Sequence, residues 1–294
     1  MGAMAKFKYF EPADLAEALS LLKNHGDEAR VLAGGQSLLI LLRQGLIRPQ
    51  VLISLHRIAA LREIKFEERH VALGAMATQR QISSDERIRS RFPALAEAAS
   101  RVGSIHVQNL GTVGGNISHA EPNGDSAPAL ISLGASVVAS SHRGERRIPL
   151  DDFFRGPFEN ALEPEEIVTR IHVPLPVDGA ASIYVKHVQR AVDRATVGIG
   201  VQLRVDRVGI CADARIGVGG AAPAPFRASR AEAVLKGQKI SNALMDAVAT
   251  EVISMCDPLP DSHGPAEYKR KMAGVFVKRA LGALHSSAQK RSTG

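Results

Sequence analysis

Leu15, Ala18, Leu19 and Leu22 recur at helical spacing within residues 11–23, and Pro12 and Asp14 are placed to begin that helix. The segment 29–33 reads as a short strand and leads directly into Gly34 and Gly35. QSLLILL then predicts a helix ending near Gly45, since Pro49 prevents simple continuation, and residues 51–55 read as another strand. Strands are predicted at 61–66 and 70–73 around a charged turn. After GAMAT come a helix around 79–88 and a second over 92–102, the latter carried by Leu95, Ala98, Ala99 and Val102.

From Gly103 the pattern changes. GSIHVQNLGTVGGNISHAEPNGDSAPALISLGASVVAS has little charge and six glycines before Ala135, yet apolar residues flank it on both sides. A disordered linker is more polar than this, so the pattern predicts a loop-rich segment packed against a ligand. A third region starts near Leu175, after IVTRIHVPLP. Its predicted strands lie at 181–187, 196–203 and 209–210 with 212–218, and its helices at 228–235 and 240–253. A last helix runs through AEYKRKMAGVFVKRALGAL, with Tyr268, Met272, Val275 and Phe276 at compatible positions. Strands followed by helices point to an α+β unit. The expected division is 1–175, split near 56 into subdomains 1–56 and 57–175, then 176–286, then a polar, frayed tail at 287–294.

A length of 294 residues accommodates such a division. The apolar fraction of 45% and charged fraction of 23% are ordinary for a globular protein. Aromatic residues are only 4%, with no Trp, which argues against stacking platforms and a nucleic-acid role. The net charge of +7 suits an anionic cofactor or an acidic protein surface but names no partner. Cys211 and Cys256 are the only cysteines and supply neither a four-thiolate iron–sulfur cage nor a disulfide framework. Electrons crossing this chain would therefore travel on an organic cofactor. With no secretion signal and no apolar run of about 18 residues, the expectation is a cytoplasmic protein without a transmembrane segment.

Two glycine pairs carry the candidate chemistry. In Ala33, Gly34, Gly35, Gln36 and Ser37, a strand followed by GG permits a sharp turn and close approach of a bulky anion, with successive amides and the Ser37 hydroxyl as donors. A tight structural turn is the competing reading. In Thr112, Val113, Gly114, Gly115 and Asn116, a second pair could offer amides to the same group. Spacing alone leads only to a phosphate-bearing ligand, because neither loop ends like a P-loop or carries GxGxxG. Asp125, ahead of SAPALISL, either caps that helix or accepts a hydroxyl from a sugar-like ligand. His119 and Glu121 lack metal-ligand spacing.

AGGQSLL, TVGGNISHAEPNGD, ARIGVGGAAPAPFRASRAEAVLKG and EYKRKMAGVFVKRAL together resemble the medium, flavoprotein subunit of molybdenum hydroxylases, close to the version in aerobic carbon monoxide dehydrogenases. The resemblance extends across nearly the whole chain. It implies an α+β architecture: a two-subdomain N-terminal FAD-binding region of the vanillyl-alcohol-oxidase-like type and a C-terminal α+β domain. It further implies FAD with its diphosphate on Ala33–Ser37 and Thr112–Gly115, Asp125 at the flavin's sugar-like portion, and Lys186 and Asp193 beside the flavin, where a cation at Lys186 would favour anionic reduced flavin. A surface salt bridge is the other reading of Lys186 and Asp193. Arg194, where relatives often carry a hydrophobic residue, and His119 and Glu121 depart from the family pattern.

The resemblance also implies a division of labour. A large subunit would hold the molybdenum cofactor and a small one two [2Fe–2S] clusters, in a dimer of heterotrimers, and FAD here would pass electrons to an external acceptor. Peripheral attachment at the inner membrane is compatible with this. No catalytic residue and no metal is assigned to this chain. The 4-hydroxybenzoyl-CoA-reductase variety, with its inserted cysteine-rich segment, does not suit two cysteines. The alternatives are an independent FAD-dependent oxidoreductase acting directly on a small molecule and a non-catalytic structural adaptor.

Overall fold

The structure is a computed structural model that describes residues 6–292. In the first unit, β1 (Lys8–Phe10), α1 (Leu15–His25), β2 (Ala29–Leu32), α2 (Leu38–Arg43) and β3 (Val51–Ser54) follow one another. The strands pair in parallel in the order β1-β3-β2, with helical crossovers as parallel pairing requires. Asp14 starts α1 by accepting from the Glu17 amide at 2.9 Å, and Ala18 and Leu22 pack on Ala29, Val51 and Ile53.

The second unit opens with β4 (Ile64–Phe66) and β5 (His70–Gly74) and continues through six short helices: α3 (Gln79–Ser84), α4 (Glu86–Arg91), α5 (Pro93–Ser100), α6 (Ile105–Leu110), α7 (Val113–His119) and α8 (Ser126–Ser132). β6 (Ser136–Ser141), β7 (Gly144–Pro149), β8 (Phe154–Gly156), β9 (Glu159–Asn160) and β10 (Ile167–Pro174) complete it. Its antiparallel sheet has the order β4-β5-β10-β6-β7. The helix expected at 79–88 breaks at Asp85, whose carboxylate accepts from the Arg87 and Ile88 amides and begins α4. The segment expected to be loop-rich is instead largely helical. Ser104 and Thr112 cap α6 and α7, and helices of six and seven residues are too short to print a periodic pattern.

The third unit is an antiparallel sheet, β11 (Ala180–His187), β12 (Val197–Val205), β13 (Cys211–Gly219) and β14 (Phe226–Arg227), followed by α9 (Ser229–Leu235), α10 (Asn242–Met255) and α11 (Ala266–Ser292). The strands-then-helices order matches the sequence pattern. Of the strand expected at 209–210, the structure has an isolated bridge of Ile210 with Lys239. α11 continues to Ser292, through the stretch expected to fray from 287.

Alternation along β12 decides how the units join. Val197, Ile199, Val201 and Leu203 face the core shared with α9–α11, while Gly200 on the opposite face meets α8. A Cβ on Gly200 or Gly217 would lie 2.4 or 2.1 Å from the Pro128 carbonyl oxygen, so α8 rests on sheet backbone. Gly217→Ala should therefore cost about 2 kcal/mol in urea denaturation, whereas Gly282→Ala, in open space on α11, should be neutral or stabilising. Equal stabilities would contradict this account of the junction.

On the sheet of the second unit, the His70 and His172 rings lie 4.1 Å apart, and the Arg147 guanidinium donates to His172 Nδ1 at 2.6 Å. Burial, with His70, Arg147 and Arg170, pushes His172 down from 6.5 to about 4. The neutral ring's contribution is present above pH 6.5 and is lost as pH falls toward 4. Denaturation midpoints should decline across that window, and His172→Gln should flatten the decline.

Candidate functional site

The first glycine pair sits where β2 ends, with the Leu32 carbonyl accepting from the Leu55 amide at 3.0 Å. Gly35 has φ 72°, a left-handed geometry that a side chain resists. Its carbonyl accepts from the Leu39 amide at 3.1 Å and so feeds the chain into α2. Among the described residues, the amides of Gly34, Gly35, Gln36 and Ser37 donate to no protein acceptor. The Ser37 hydroxyl caps nothing, while Gln36 Nε2 donates to the Gly34 carbonyl at 3.2 Å. Four successive backbone donors are thus available to an anion.

The second pair is built differently. Thr112 Oγ1 accepts from the Gly115 amide at 3.1 Å, and the amides of Val113 and Gly114 donate to Ala77 and Ala75 carbonyls, each at 2.9 Å. Those amides are satisfied by protein, so this loop's backbone donors are committed within the fold. The glycines here serve close approach. A Cβ on Gly114 would stand 2.5 Å from Ala75 Cβ, and one on Gly115 would stand 3.2 Å from Ala33 Cβ. A Cβ on Gly34 would come within 2.0 Å of the Leu110 carbonyl oxygen. The two loops therefore lie against each other, and the second forms the wall that fixes the first. The side chain of Asn116 makes no hydrogen bond among the described residues and is available to a ligand. Ala75 and Ala77, in GAMAT, escaped sequence reasoning because their contribution is a carbonyl rather than a side chain.

Asp125 occupies the first position before α8, but its side chain does not cap the helix. Tyr184 Oη donates to Oδ1 at 2.7 Å and Lys186 Nζ to Oδ2 at 3.0 Å. Lys186 also donates to the Arg101 carbonyl at 2.9 Å, and the side chains of Lys186 and Asp125 are only 1% and 5% exposed. The pair is buried, so the surface reading of Lys186 does not hold. Burial pushes the Asp125 carboxyl upward against the pull of Lys186 and Tyr184. Burial and the Asp125 charge push the Tyr184 hydroxyl well above its usual range, which keeps it a donor. Lys186 thus stands in a buried ion pair with Asp125. Tyr184, unremarked in the sequence, shares a strand face with Lys186 at i, i+2; a buried tyrosine's need for a partner was the available signal.

Asp193 lies apart from this cluster in the turn after β11 and pairs with Arg190 at 3.0 Å, an arginine whose side chain is 82% exposed. Between the two places, Asn123 Nδ2 donates to the Ala195 carbonyl at 2.7 Å and the Gly220 amide to the Pro122 carbonyl at 2.8 Å. Arg194 NH1 stands 3.4 Å from Glu121 Oε2. Burial lowers the pKa of neighbouring His119, with Arg194 adding to the effect and Glu121 opposing it.

Free amides in a cradle where a Cβ would clash suit a diphosphate-bearing cofactor such as FAD, whose ring supplies reversible electron transfer when bound. Residues 5–176 match the family described as the FAD binding domain in molybdopterin dehydrogenase, and residues 182–284 match the CO dehydrogenase flavoprotein C-terminal domain. The chain is 35% identical to the carbon monoxide dehydrogenase medium chain of Hydrogenophaga pseudoflava, covering 95% of this chain and 96% of that one. It is 33% identical to the glyceraldehyde dehydrogenase medium chain of Sulfolobus acidocaldarius, covering 94% and 97%. A solved structure of the H. pseudoflava carbon monoxide dehydrogenase lacking the Mo-pyranopterin moiety superposes with a TM-score of 0.94, at 36% identity over 97% of this chain and 99% of that one. The fold is thus the N-terminal FAD-binding, vanillyl-alcohol-oxidase-like domain with a C-terminal α+β domain. This chain belongs to the family of FAD-binding medium chains of molybdenum-hydroxylase-type oxidoreductases.

Gly35→Val and Gly114→Val should each weaken FAD retention about tenfold or more, equivalent to at least about 1.4 kcal/mol. FAD per chain from absorbance near 450 nm, together with a dissociation constant, reads the effect. Wild-type values in both variants would remove the loops from the cofactor site.

Proposed function

We propose that this chain holds FAD non-covalently on Ala33–Ser37 and Thr112–Asn116 and relays electrons from partner [2Fe–2S] clusters to an external acceptor. The row of free amides at Gly34–Ser37, pinned against the second loop, carries the reading. Thr112–Gly115 shapes the cradle and Asn116 supplies a side-chain contact. Asp125 keeps acceptor capacity beyond its bonds to Tyr184 and Lys186 and serves the flavin's sugar-like portion. Lys186 acts by fixing Asp125, and Asp193 acts by shaping the turn that carries Arg194. The working division is 1–175 for FAD binding, with subdomains near 1–56 and 57–175, and 176–286 for the C-terminal domain.

The relatives support the partners proposed. Carbon monoxide dehydrogenase, glyceraldehyde dehydrogenase and caffeine dehydrogenase name different substrates for chains of this type, which supports a substrate site on another subunit. The assembly proposed is a dimer of heterotrimers with a large molybdenum-cofactor subunit and a small iron–sulfur subunit, in the cytoplasm or peripheral at the inner membrane. Among the described residues, no helix is long and apolar enough to cross a membrane.

The test is purification of the native complex with metal and flavin analysis, followed by a substrate screen that monitors flavin bleaching. Molybdenum, iron and FAD should co-purify, and substrate should bleach the flavin of the complex but not of the isolated chain. Rapid bleaching of the isolated chain by substrate would instead establish direct oxidation at FAD.

A further inference from the structure

The two domains leave a gap where β11 begins. A cavity of about 250 Å³ lies between the end of α4 and start of α5 on one side and β11, β12 and the second half of α11 on the other. It is smaller than the roughly 300–1,000 Å³ of sites for drug-sized ligands, so it suits a molecule of metabolite size. Pro93, Pro176, Ile183 and Leu284 give it aliphatic walls. Among the described residues, neither an aromatic ring nor an acidic side chain lines it.

The polar groups around this space are donors. Arg91, the last residue of α4, borders the cavity. Its neighbour Arg87 pairs with Asp85 at 3.2 Å, whereas the Arg91 guanidinium has no carboxylate or carbonyl partner among the described residues and lies 5.8 Å from the Phe66 ring centroid. Its N–H donors therefore have no protein acceptor. The Gln202 side chain, on β12 opposite Ser182, makes no hydrogen bond among the described residues either. Ser182 Oγ accepts from the Ala94 amide at 3.4 Å and keeps its own proton to donate. β11 is the edge strand of its sheet, so alternate backbone groups along 180–183, which border the cavity, stand outside the ladder.

We propose that this cavity binds a small aliphatic carboxylate. Its charged end pairs with Arg91 and accepts from Gln202, and its body rests on Pro93, Pro176, Ile183 and Leu284. With no acidic residue on the wall, the attraction to Arg91 is unopposed within the cavity. The site is separate from the glycine loops and does not depend on the FAD reading above. Arg91 belongs to the N-terminal domain and Gln202 to the C-terminal one, so the bound carboxylate bridges the two and favours their docked arrangement.

Isothermal titration of the purified chain with cyclohexanecarboxylate tests the site, alongside its uncharged isostere cyclohexanecarboxamide and inorganic phosphate. Cyclohexanecarboxylate should saturate at one per chain. The carboxamide, for want of charge, and phosphate, for want of an apolar body, should each bind about tenfold or more weakly. Arg91 is exposed, so Arg91→Gln should leave the thermal midpoint of the ligand-free chain unchanged while weakening carboxylate binding about tenfold. Ala283→Phe fills the cavity from an exposed position on α11 and should abolish binding at wild-type FAD content. Absence of saturable binding, or wild-type affinity in Arg91→Gln, would overturn the proposal. Phosphate binding as tightly as the carboxylate would also overturn it, by reducing Arg91 to a bare surface charge. Should Ala283→Phe fail to fold, Arg91→Gln and the two control ligands still decide.

Discussion

A single carboxylate clasped from across a domain boundary organises the centre of this molecule. Asp125 belongs to the N-terminal domain, but both groups bonded to it come from β11 of the C-terminal domain. A buried ion pair is weak evidence of net stabilisation, since desolvation offsets much of the attraction, yet removing one partner strands the other at about 3–5 kcal/mol. The pair thus enforces one arrangement of the domains rather than supplying the bulk of their adhesion. The adhesion comes from α8 lying on the glycine-bearing face of β12 and β13, where backbone meets backbone. Only with that contact in place do Tyr184 and Lys186 reach the loop.

The glycine loops illustrate two uses of one sequence signature. Both are GG pairs, and spacing alone offers both as sources of amide donors. In the first, the donors are free and positive φ at Gly35 makes the turn. In the second, short-range capping by Thr112 and the carbonyls of Ala75 and Ala77 take the amides, and the absent side chains let two walls meet. Satisfied amides cannot be inferred from spacing, because their partners lie on a segment more than thirty residues earlier in the chain. That distance hid the difference.

Elsewhere the legible part was set by length. α1, the long α10 and α11, and the strands of the C-terminal sheet repeat their patterns often enough to be read, as does the order of strands before helices. α6 and α7 do not, and their capping residues looked like loop composition. The family and the candidate loops were visible because several motifs coincide along the chain. Tyr184 and the Arg101 carbonyl were not, since each gains meaning only from a neighbour distant in sequence.

The segment from Ser118 to Asp125 depends on groups contributed by residues up to Gly220. On the ribosome, these groups emerge long after the two glycine loops have left the exit tunnel. A nascent N-terminal half can therefore assemble its cradle but not the end that meets the second domain. Cofactor uptake in its final geometry consequently belongs after synthesis of most of the chain, and a fragment truncated near residue 176 would leave the Asp125 carboxylate without Tyr184 and Lys186.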